Sequence, residues 1–418
     1  MNSLQEGKRI DLREKRKFDF SLLSRIFSFI LIFFAVIVIY GWVSFLALHS
    51  EGDIGLVYSP IYHIVWEERN PHHKTPEQLR AIYLSAWTAG DKKRLKTIIE
   101  RAKEAGINAL VIDVKDATGY VSFSLGGTPL AHYGTGSNRI RNVRELIEKL
   151  HNEGFYLIAR IVCFQDPLYS KKHPEFAIHR RGGTIWKNRR GLSFLNPKNE
   201  EAREYLAELA KYAYQLGFDE VNFDYIRYPS DGNLWNINYE LGEGETKREI
   251  IRSFAEFLHN KFHREDEGSV YIPMSADLFG FVATREEVSS IGQKLEDFFP
   301  YFDAIALMVY PSHYSQNYLG FSHPEEYPYE VIFHDMSKAR ERLDIFLSQR
   351  NDKKEEREKH MPSLRTWIQD FSLRTHYTKE MIQKEIQASL DAKIDSFMVW
   401  SPNNRYTWSV YENERKEP

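Results

Sequence analysis

The sequence predicts an α/β fold, a (β/α)8 TIM barrel preceded by one N-terminal transmembrane helix. Two observations support this prediction. Short apolar segments alternate with longer amphipathic runs from residue 79 onward, which is the pattern of a parallel sheet built from βαβ units. Before them, residues 26–48 form a run of 23 residues without a charge, which is long enough to span a bilayer.

The alternation resolves into eight candidate strands. They are residues 82–87, 109–115, 156–164, 220–225, 270–277, 304–310, 363–369 and 396–401. The helical runs between them lie near residues 91–105, 143–153, 199–216, 247–265, 329–349 and 378–392. Eight strand–helix units over about 330 residues fit a barrel with insertions. A doubly wound open sheet is the alternative for the same alternation.

The sixth candidate strand shows how side chains are expected to divide between the barrel interior and the surrounding helices. Successive side chains of a strand point to opposite faces. Ala304, Ala306 and Met308 are therefore predicted to face a tightly packed interior, and the branched residues between them are predicted to face helices.

Composition divides the chain into four parts. Residues 1–25 are a basic cytoplasmic segment, 26–48 a transmembrane signal anchor, 49–78 a connector, and 79–418 the barrel. Positive charge beside a membrane span stays on the cytoplasmic side, so the N-terminus is expected to be cytoplasmic. We therefore expect a single-pass protein of the cell membrane with its barrel outside. A long cleaved signal peptide is the alternative, and it also exports the barrel.

Charge and motifs argue against several classes of protein. The formal net charge of −3 provides no basic field for nucleic acid. The single cysteine, Cys163, cannot form an intramolecular disulfide and is predicted to be a buried, inert thiol. The sequence has no nucleophile elbow, zinc-protease, cysteine metal or phosphate-loop motif. His72 and His73 adjoin without a further ligand at metal spacing, so neither a metal nor a cofactor is predicted.

The most informative segment is residues 220–232, Glu-Val-Asn-Phe-Asp-Tyr-Ile-Arg-Tyr-Pro-Ser-Asp-Gly. Strand alternation places Asn222 and Asp224 on one face, and Pro229 ends the strand. A carboxylate on the interior face is costly to bury without a purpose. Because catalytic groups of barrel enzymes sit at the carboxyl ends of strands, Asp224 is the first candidate for catalysis.

The same alternation on all eight strands predicts a polar and aromatic barrel mouth. The candidate catalytic residues are Asp224 and Asp277. The candidate substrate-binding residues are Trp87, Asp113, Arg160, Asn222, Arg227, Tyr310, His313, Trp367, Gln369 and Trp400. Arg160, Asn222 and Arg227 are expected to position and tune Asp224. Charged groups near the ends of consecutive strands are typical of an active site at the top of a barrel.

Asp224 and Asp277 are predicted to act as a pair. Adjacent strands lie about 4.8 Å apart, so their terminal carboxylates can approach the spacing of about 5 Å found in retaining glycosidases. An arginine beside Asp224, either Arg160 or Arg227, would keep it ionised as the nucleophile, and apolar surroundings would favour a protonated Asp277. Two alternatives remain open. In the first, Asp224 and Asp277 have only a structural role. In the second, Asp113 is the acid or a hydroxyl-binding group.

The aromatic content of the chain, 14%, indicates a carbohydrate ligand. Sugar rings present apolar C–H faces that stack on aromatic rings, while their hydroxyls take polar hydrogen bonds. Tyr310, Trp367 and Trp400 are the residues expected to stack on sugar. The alternative is that such rings only pack the loops that contain them.

Three segments resemble a bacterial family of glycosyl-hydrolase-like (β/α)8 barrels of largely unknown substrate. They are Phe223–Gly232 (FDYIRYPSDG), Ser275–Gly280 (SADLFG) and Met308–Tyr314 (MVYPSHY), and the likeness covers roughly residues 80–405. The family is distantly similar to the α-amylase clan. The resemblance implies a barrel with Asp224 as the strand-4 nucleophile. Asp277 stands where the clan has a glutamic acid, and Asn222 where it has an arginine.

The sequence therefore predicts a membrane-anchored, extracytoplasmic glycoside hydrolase. Its expected substrate is a cell-surface or extracellular polysaccharide, cleaved by a two-carboxylate retaining mechanism. Its expected partners are that glycan and, through residues 26–48, the membrane, but not nucleic acid. The runner-up is a non-catalytic glycan-binding barrel that serves as a cell-wall receptor or scaffold. A third alternative, a wall-assembly interaction protein, would show a broad apolar patch on the barrel exterior.

Overall fold

The structure, a computed structural model, describes residues 72–263, 271–350 and 361–411. Within them, eight parallel strands pair in chain order and close into a barrel, with the last strand beside the first. The strands are β1 (Arg80–Leu84), β2 (Ala109–Lys115), β3 (Tyr156–Val162), β4 (Glu220–Asp224), β5 (Met274–Phe279), β6 (Ala304–Met308), β7 (Ser363–Gln369) and β8 (Phe397–Trp400). The predicted (β/α)8 barrel is confirmed, and its closure excludes the open doubly wound sheet.

Six longer helices surround the strands. They are α1 (Lys92–Glu104), α2 (Val143–Asn152), α3 (Glu200–Leu216), α4 (Lys247–Phe262), α5 (Pro328–Gln349) and α6 (Lys379–Asp391). Local sequence explains several of their ends. Thr246 and Glu249 form a reciprocal capping box at the start of α4. Helix α3 ends at Gly217, whose φ of 109° is open to glycine and strained for other residues. The predicted helices agree with these bounds to within three residues.

Shorter elements lie in the loops between strands and helices. Two further α-helices span Ala86–Gly90 and Pro167–Lys172. The loops after β3 and β4 are joined by a small antiparallel sheet that pairs His179–Arg180 with Ile237–Asn238. Between β5 and β6 the structure has two 3-10 turns, Gly280–Val282 and Leu295–Asp297.

The barrel interior is filled by the alternate residues of each strand. Ala81 and Tyr83 of β1, Ala306 of β6, Trp367 of β7 and Met398 of β8 belong to one buried cluster. Such interleaved layers from neighbouring strands are how a closed barrel of eight strands fills its centre. Met308 packs against the same cluster, so the predicted interior face of β6 is confirmed.

A charged layer lies at the amino-terminal end of the barrel, the floor. Glu220 at the start of β4 accepts hydrogen bonds from both terminal nitrogens of Arg365 in β7, at 2.6 and 2.9 Å. It also accepts from Ser275 Oγ at 2.6 Å and from Tyr156 Oη at 3.1 Å. The buried carboxylate is therefore fully hydrogen-bonded, and it links four strands across the barrel axis.

Two predicted strand positions are corrected by the structure. The strand expected over residues 82–87 ends at Leu84, because Ser85 caps the helix that follows and accepts a hydrogen bond from the backbone N–H of Thr88. Trp87 therefore lies in a helix rather than at a strand end. The strand expected over residues 270–277 runs instead from Met274 to Phe279.

The expected N-terminal parts of the chain fall outside the described residues. This applies to the basic segment, to the membrane anchor at 26–48 and to most of the connector. Among residues 72–263, 271–350 and 361–411, none of the helices is both long enough and apolar enough to span a membrane.

The charged floor gives the first prediction. We expect Arg365→Met to lower the free energy of unfolding by about 3–5 kcal/mol, because Glu220 would be left as an uncompensated buried charge. Urea denaturation measures the change. The control is Lys92→Met, which breaks the exposed pair with Glu145 and is expected to cost less than about 1 kcal/mol. Equal effects of the two substitutions would contradict the assigned role of the floor.

Candidate active site

The two predicted catalytic carboxylates lie side by side on neighbouring strands. In the parallel pairing of β4 with β5, Phe223 is opposite Ala276. Asp224 and Asp277 come one residue further along each strand. Because neighbouring strands are about 4.8 Å apart, this register brings the two carboxylates together. Both are almost fully buried, with exposed fractions of 3% and 1%.

Arg160 of β3 holds two of the carboxylates at the barrel mouth. Its Nε and Nη2 donate to Asp224 Oδ2 at 3.1 and 2.5 Å. Its Nη1 donates to Asp113 Oδ1 on β2 at 2.6 Å. The guanidinium thus lies between the strands on either side of its own, and its charge-assisted hydrogen bonds stabilise charge on both carboxylates. The predicted pairing of Asp224 with an arginine is made by Arg160.

The chain turns sharply directly after Asp224. Tyr225 has a φ of 56°, in the left-handed region that bulky residues rarely adopt. Its backbone N–H donates to Asp224 Oδ1 at 2.6 Å. One carboxylate oxygen is therefore oriented by the main chain and the other by Arg160. Backbone strain of this kind costs about 1–3 kcal/mol and is concentrated at functional sites.

Asp277 has neutral hydrogen-bond partners. Its Oδ1 accepts from Asn222 Nδ2 at 2.9 Å and from Trp367 Nε1 at 2.8 Å. No hydrogen bond from a described residue reaches its Oδ2. Burial, and then the charge of Asp224, raise the pKa of Asp277 to about 8, although both hydrogen bonds oppose the shift. This shift favours the protonated form of Asp277 at neutral pH, and Oδ2 is the oxygen that does not already accept the two hydrogen bonds.

Asn222 was expected to position Asp224, but it donates its hydrogen bond to Asp277 instead. The Ser275 hydroxyl donates its single proton to Glu220, so it must accept from Asn222 Nδ2, at 3.1 Å. This fixes the orientation of the amide. Its other end, Asn222 Oδ1, is buried without a hydrogen-bond partner among the described residues. An unpaired buried acceptor costs about 1–3 kcal/mol.

Aromatic rings line one side of the mouth. Trp400 is half-buried, stacks on Tyr83 at 4.1 Å between ring centroids, and lies edge-on to Trp367 at 5.7 Å. The Arg160 guanidinium lies 5.1 Å from the Trp400 ring and 5.7 Å from the Tyr83 ring. Trp367 is buried and is held by Asp277. Trp400 is therefore the partly exposed ring of this group.

The loop after β6 contributes a second set of predicted residues. Tyr310 is buried, and its ring lies edge-on to the exposed His313 and to Phe371. Gln369 lies beneath this loop rather than at an open surface. Its Nε2 donates to Ser312 Oγ at 2.7 Å, and its Oε1 accepts from the Ser312 backbone N–H at 3.2 Å. Both ends of the Gln369 amide therefore hold the loop in place.

Trp87 and Arg227, also predicted to bind substrate, make no hydrogen bond to either catalytic carboxylate. Trp87 is 67% exposed and covers the Arg139 guanidinium at 5.1 Å. Arg227 is buried between the rings of Tyr225 and Phe279, at 4.5 and 4.6 Å. Its place between strands β4 and β5 makes it a support for the loop that follows Asp224.

Sequence reasoning missed Tyr83. Its hydroxyl donates to Asp113 Oδ2 at 2.5 Å. Burial raises the pKa of Asp113, and the charge of Arg160 and the Tyr83 hydrogen bond oppose that rise. The available signal was alternation on β1, since Tyr83 shares a face with Ala81. The strand was predicted to begin two residues too late, which directed attention to Trp87 instead.

Comparison with protein families identifies the family to which the barrel belongs. Residues 81–406, most of the chain, match the family described as "Putative glycosyl hydrolase domain". The chain belongs to this family. The resemblance found in the sequence is thereby confirmed, and family and fold together support an enzyme that acts on glycans. No protein of curated function matches the chain.

Several solved structures are similar to the chain, and one of them, at a TM-score above 0.5, shows the same fold. The glycoside hydrolase domain of PgaB (BpsB) from Bordetella bronchiseptica is 13% identical, with a TM-score of 0.56 over 81% of this chain and 98% of that one. A hypothetical protein from Ruminiclostridium thermocellum is 34% identical over 47% of this chain and 96% of that one, with a TM-score of 0.41. An α-galactosidase from Thermus thermophilus is 13% identical over 82% and 62%, with a TM-score of 0.46.

The raised pKa of Asp277 gives a stability prediction. Between the usual aspartate value of 3.8 and about 8, the folded state holds a proton that the unfolded chain has released. Stability contributed by this proton is therefore lost as pH rises through that window. Asp277→Asn removes the dependence, so we expect the variant to gain stability relative to wild type as pH rises.

Denaturation at about pH 5 and about pH 8 measures this gain. The control is Asp344→Asn, at an exposed aspartate paired with Arg340, for which the same difference should stay near zero. A difference between Asp277→Asn and wild type that is equal at the two pH values would show that Asp277 is not protonated in the folded state.

Proposed function

We propose that this protein is a membrane-anchored, extracytoplasmic glycoside hydrolase that cleaves a cell-surface or extracellular polysaccharide by a two-carboxylate retaining mechanism. The observation that carries the proposal is the contrast between two neighbouring carboxylates. Asp224 is held by the Arg160 cation, whereas Asp277 has neutral donors and a raised pKa. Pairs of carboxylates with divergent environments mark a base or nucleophile and an acid.

The first step of the proposed reaction forms a covalent intermediate. Asp277 Oδ2 gives its proton to the glycosidic oxygen while Asp224 attacks the anomeric carbon. The bond between the anomeric carbon and the glycosidic oxygen breaks, and the leaving sugar departs with the proton as its hydroxyl. Asp224 then carries the remaining sugar as an ester, and Asp277 is a carboxylate.

The second step returns the enzyme to its starting state. Asp277 takes a proton from water as the water oxygen attacks the anomeric carbon, and the ester bond to Asp224 breaks. Two inversions give net retention of the anomeric configuration. The register of β4 and β5 supports this course, because an inverting pair needs about 6.5–9.5 Å between carboxyl groups to admit a water.

Other groups at the mouth suit a sugar. The partly exposed ring of Trp400 offers a stacking face. The unpartnered Asn222 Oδ1 offers an acceptor for a hydroxyl next to the acid. Asp113, tied to Arg160 and Tyr83, keeps the cation in place beside Asp224. We assign Trp400 and Asn222 to substrate binding and Asp113 to positioning.

The proposed extracytoplasmic location of the barrel rests on the sequence of residues 1–48. A charge-free span after a basic segment is the pattern of a signal anchor. Without protease, the barrel should be recovered in the membrane fraction, and protease added to intact cells should digest it. Protection of the barrel from protease in intact cells would contradict this orientation.

The catalytic assignment predicts a loss of activity without a loss of fold. Asp224→Asn should reduce the release of reducing ends from polysaccharides to background, because an amide is a poor nucleophile. Asp277→Asn should lower kcat by about 10²–10⁴-fold, the usual contribution of a general acid. Circular dichroism should match wild type for both variants. Undiminished hydrolysis by Asp224→Asn would end the assignment.

The pH profile tests the acid directly. Activity should fall as pH rises through about 8, where Asp277 loses its proton. Trp367→Phe removes a hydrogen bond that lowers this pKa, so the alkaline limb should move to higher pH. The matched control is Trp186→Phe, at a buried tryptophan that donates to the backbone oxygen of Asn233. If the alkaline limb moves equally in both variants, then it does not report the loss of the proton from Asp277.

The alternative function is a non-catalytic glycan-binding barrel. The deep burial of Asp224 and Asp113 around Arg160 favours it, because the same triad would brace a purely structural barrel mouth. Saturable binding of one glycan with no release of reducing ends, unchanged by Asp224→Asn, would decide for this alternative.

A further inference from the structure

Two aspartates at the barrel floor brace neighbouring strands in the same way. Asp219, just before β4, accepts from the Leu157 backbone N–H at 2.7 Å and lies 3.0 Å from His151 Nε2 at the end of α2. Asp303, just before β6, accepts from the first backbone N–H of β5 at 2.7 Å and lies 3.4 Å from His263 Nε2 after α4. A carboxylate with one imidazole is therefore a repeated structural device of this floor.

The Asp219 brace carries two additional histidines. The His73 backbone N–H donates to Asp219 Oδ1 at 2.7 Å, and the His73 ring stacks on the His151 ring with centroids 4.3 Å apart. His72 Nδ1 lies 3.8 Å from Asp219 Oδ1. One ligand atom each from His73, His151 and Asp219 lie within 4.8 Å of one another. Three imidazoles thus gather around one buried carboxylate.

The brace alone does not account for these histidines. Two backbone N–H groups and His151 already supply hydrogen bonds to Asp219. Asp303 is likewise held by a backbone N–H, the Tyr271 hydroxyl and His263. The His73 ring makes no hydrogen bond to a residue that the structure describes. At the second brace, His259 and His263 meet through their Nδ1 atoms, at 3.1 Å, whereas His263 faces Asp303 with Nε2. The nitrogen that His263 directs to His259 is therefore not the one that it directs to Asp303, so the three side chains do not present their ligand atoms to one metal position.

We propose that His73, His151 and Asp219 bind a divalent transition-metal ion, Zn²⁺ before others, with His72 as the fourth ligand. Imidazole nitrogen with one carboxylate oxygen is a ligand set that Zn²⁺ prefers. Two ligands of a tetrahedral zinc with bonds of about 2.0 Å are separated by about 3.3 Å, close to the 3.0 Å between His151 and Asp219. Mg²⁺ and Ca²⁺ are disfavoured, because they take oxygen ligands.

Binding exchanges a hydrogen bond for metal bonds. His151 Nε2, which now lies 3.0 Å from Asp219 Oδ2, would ligate the metal as a neutral imidazole whose single N–H is on Nδ1. The site lies at the amino-terminal end of β4, whereas the catalytic carboxylates lie towards the carboxyl-terminal ends of β4 and β5. The metal is therefore structural. It fastens residues 72–73, where the described chain begins, to α2 and β4, and it does not depend on the proposed hydrolase activity.

Metal titration of the full-length chain in detergent tests the site. After removal of metal with a chelator, ZnCl₂ is added in competition with a chromophoric chelator, and thermal unfolding is followed in parallel. We expect one Zn²⁺ per chain and a higher Tm with ZnCl₂ but not with MgCl₂. His73→Gln and His151→Gln should each lower the affinity at least about tenfold. The matched control, His263→Gln in the second brace, should leave it unchanged.

The same titration can overturn the proposal. Absence of stoichiometric Zn²⁺ binding by the wild-type chain would do so, as would an affinity that His73→Gln leaves unchanged. Co²⁺ absorption of the wild-type chain gives a readout independent of any variant, because a tetrahedral site of nitrogen and oxygen ligands produces intense visible bands and an octahedral hydrated ion does not. His72→Gln with unchanged affinity would remove His72 from the ligand set.

Discussion

The active site depends on the balance between one buried guanidinium and three carboxylates. Arg160 contacts Asp113 and Asp224, and no cation of the described residues contacts Asp277. Moving an ion out of water costs several kcal/mol unless it is paired. The third carboxylate therefore keeps its proton. The different roles proposed for Asp224 and Asp277 follow from this shortage of positive charge at the barrel mouth.

Hydrogen bonds connect the floor of the barrel to the acid at its mouth. Arg365 donates to Glu220, which accepts from Ser275, which in turn accepts from Asn222, and Asn222 donates to Asp277. Each donor in this series fixes the direction of the next one. The orientation of the Asn222 amide, and hence its hydrogen bond to Asp277 Oδ1, is thus set by an ion pair at the opposite end of β4.

The sequence predicted what depends on periodicity and missed what depends on distances in three dimensions. Strand alternation placed Asp224, Asp277 and Arg160 on interior faces of consecutive strands, which is sufficient to bring them together in any closed barrel. Alternation does not show to which side chain an amide donates its hydrogen bond, so Asn222 was expected to position Asp224. Nor could spacing along the chain show that His151, remote in sequence, lies beside His73.

Closure of the barrel has a consequence for its synthesis. The seam joins β8 to β1, and Leu79 donates from its backbone to Ser396 Oγ across 317 residues of chain. While the polypeptide is being made, the outer edge of β1 has no neighbour until the last strand emerges. Unpaired sheet edges recruit other chains. Premature termination before residue 397 would therefore yield an open sheet with two such edges, so proteins that shield nascent chains would be needed until translation is nearly complete.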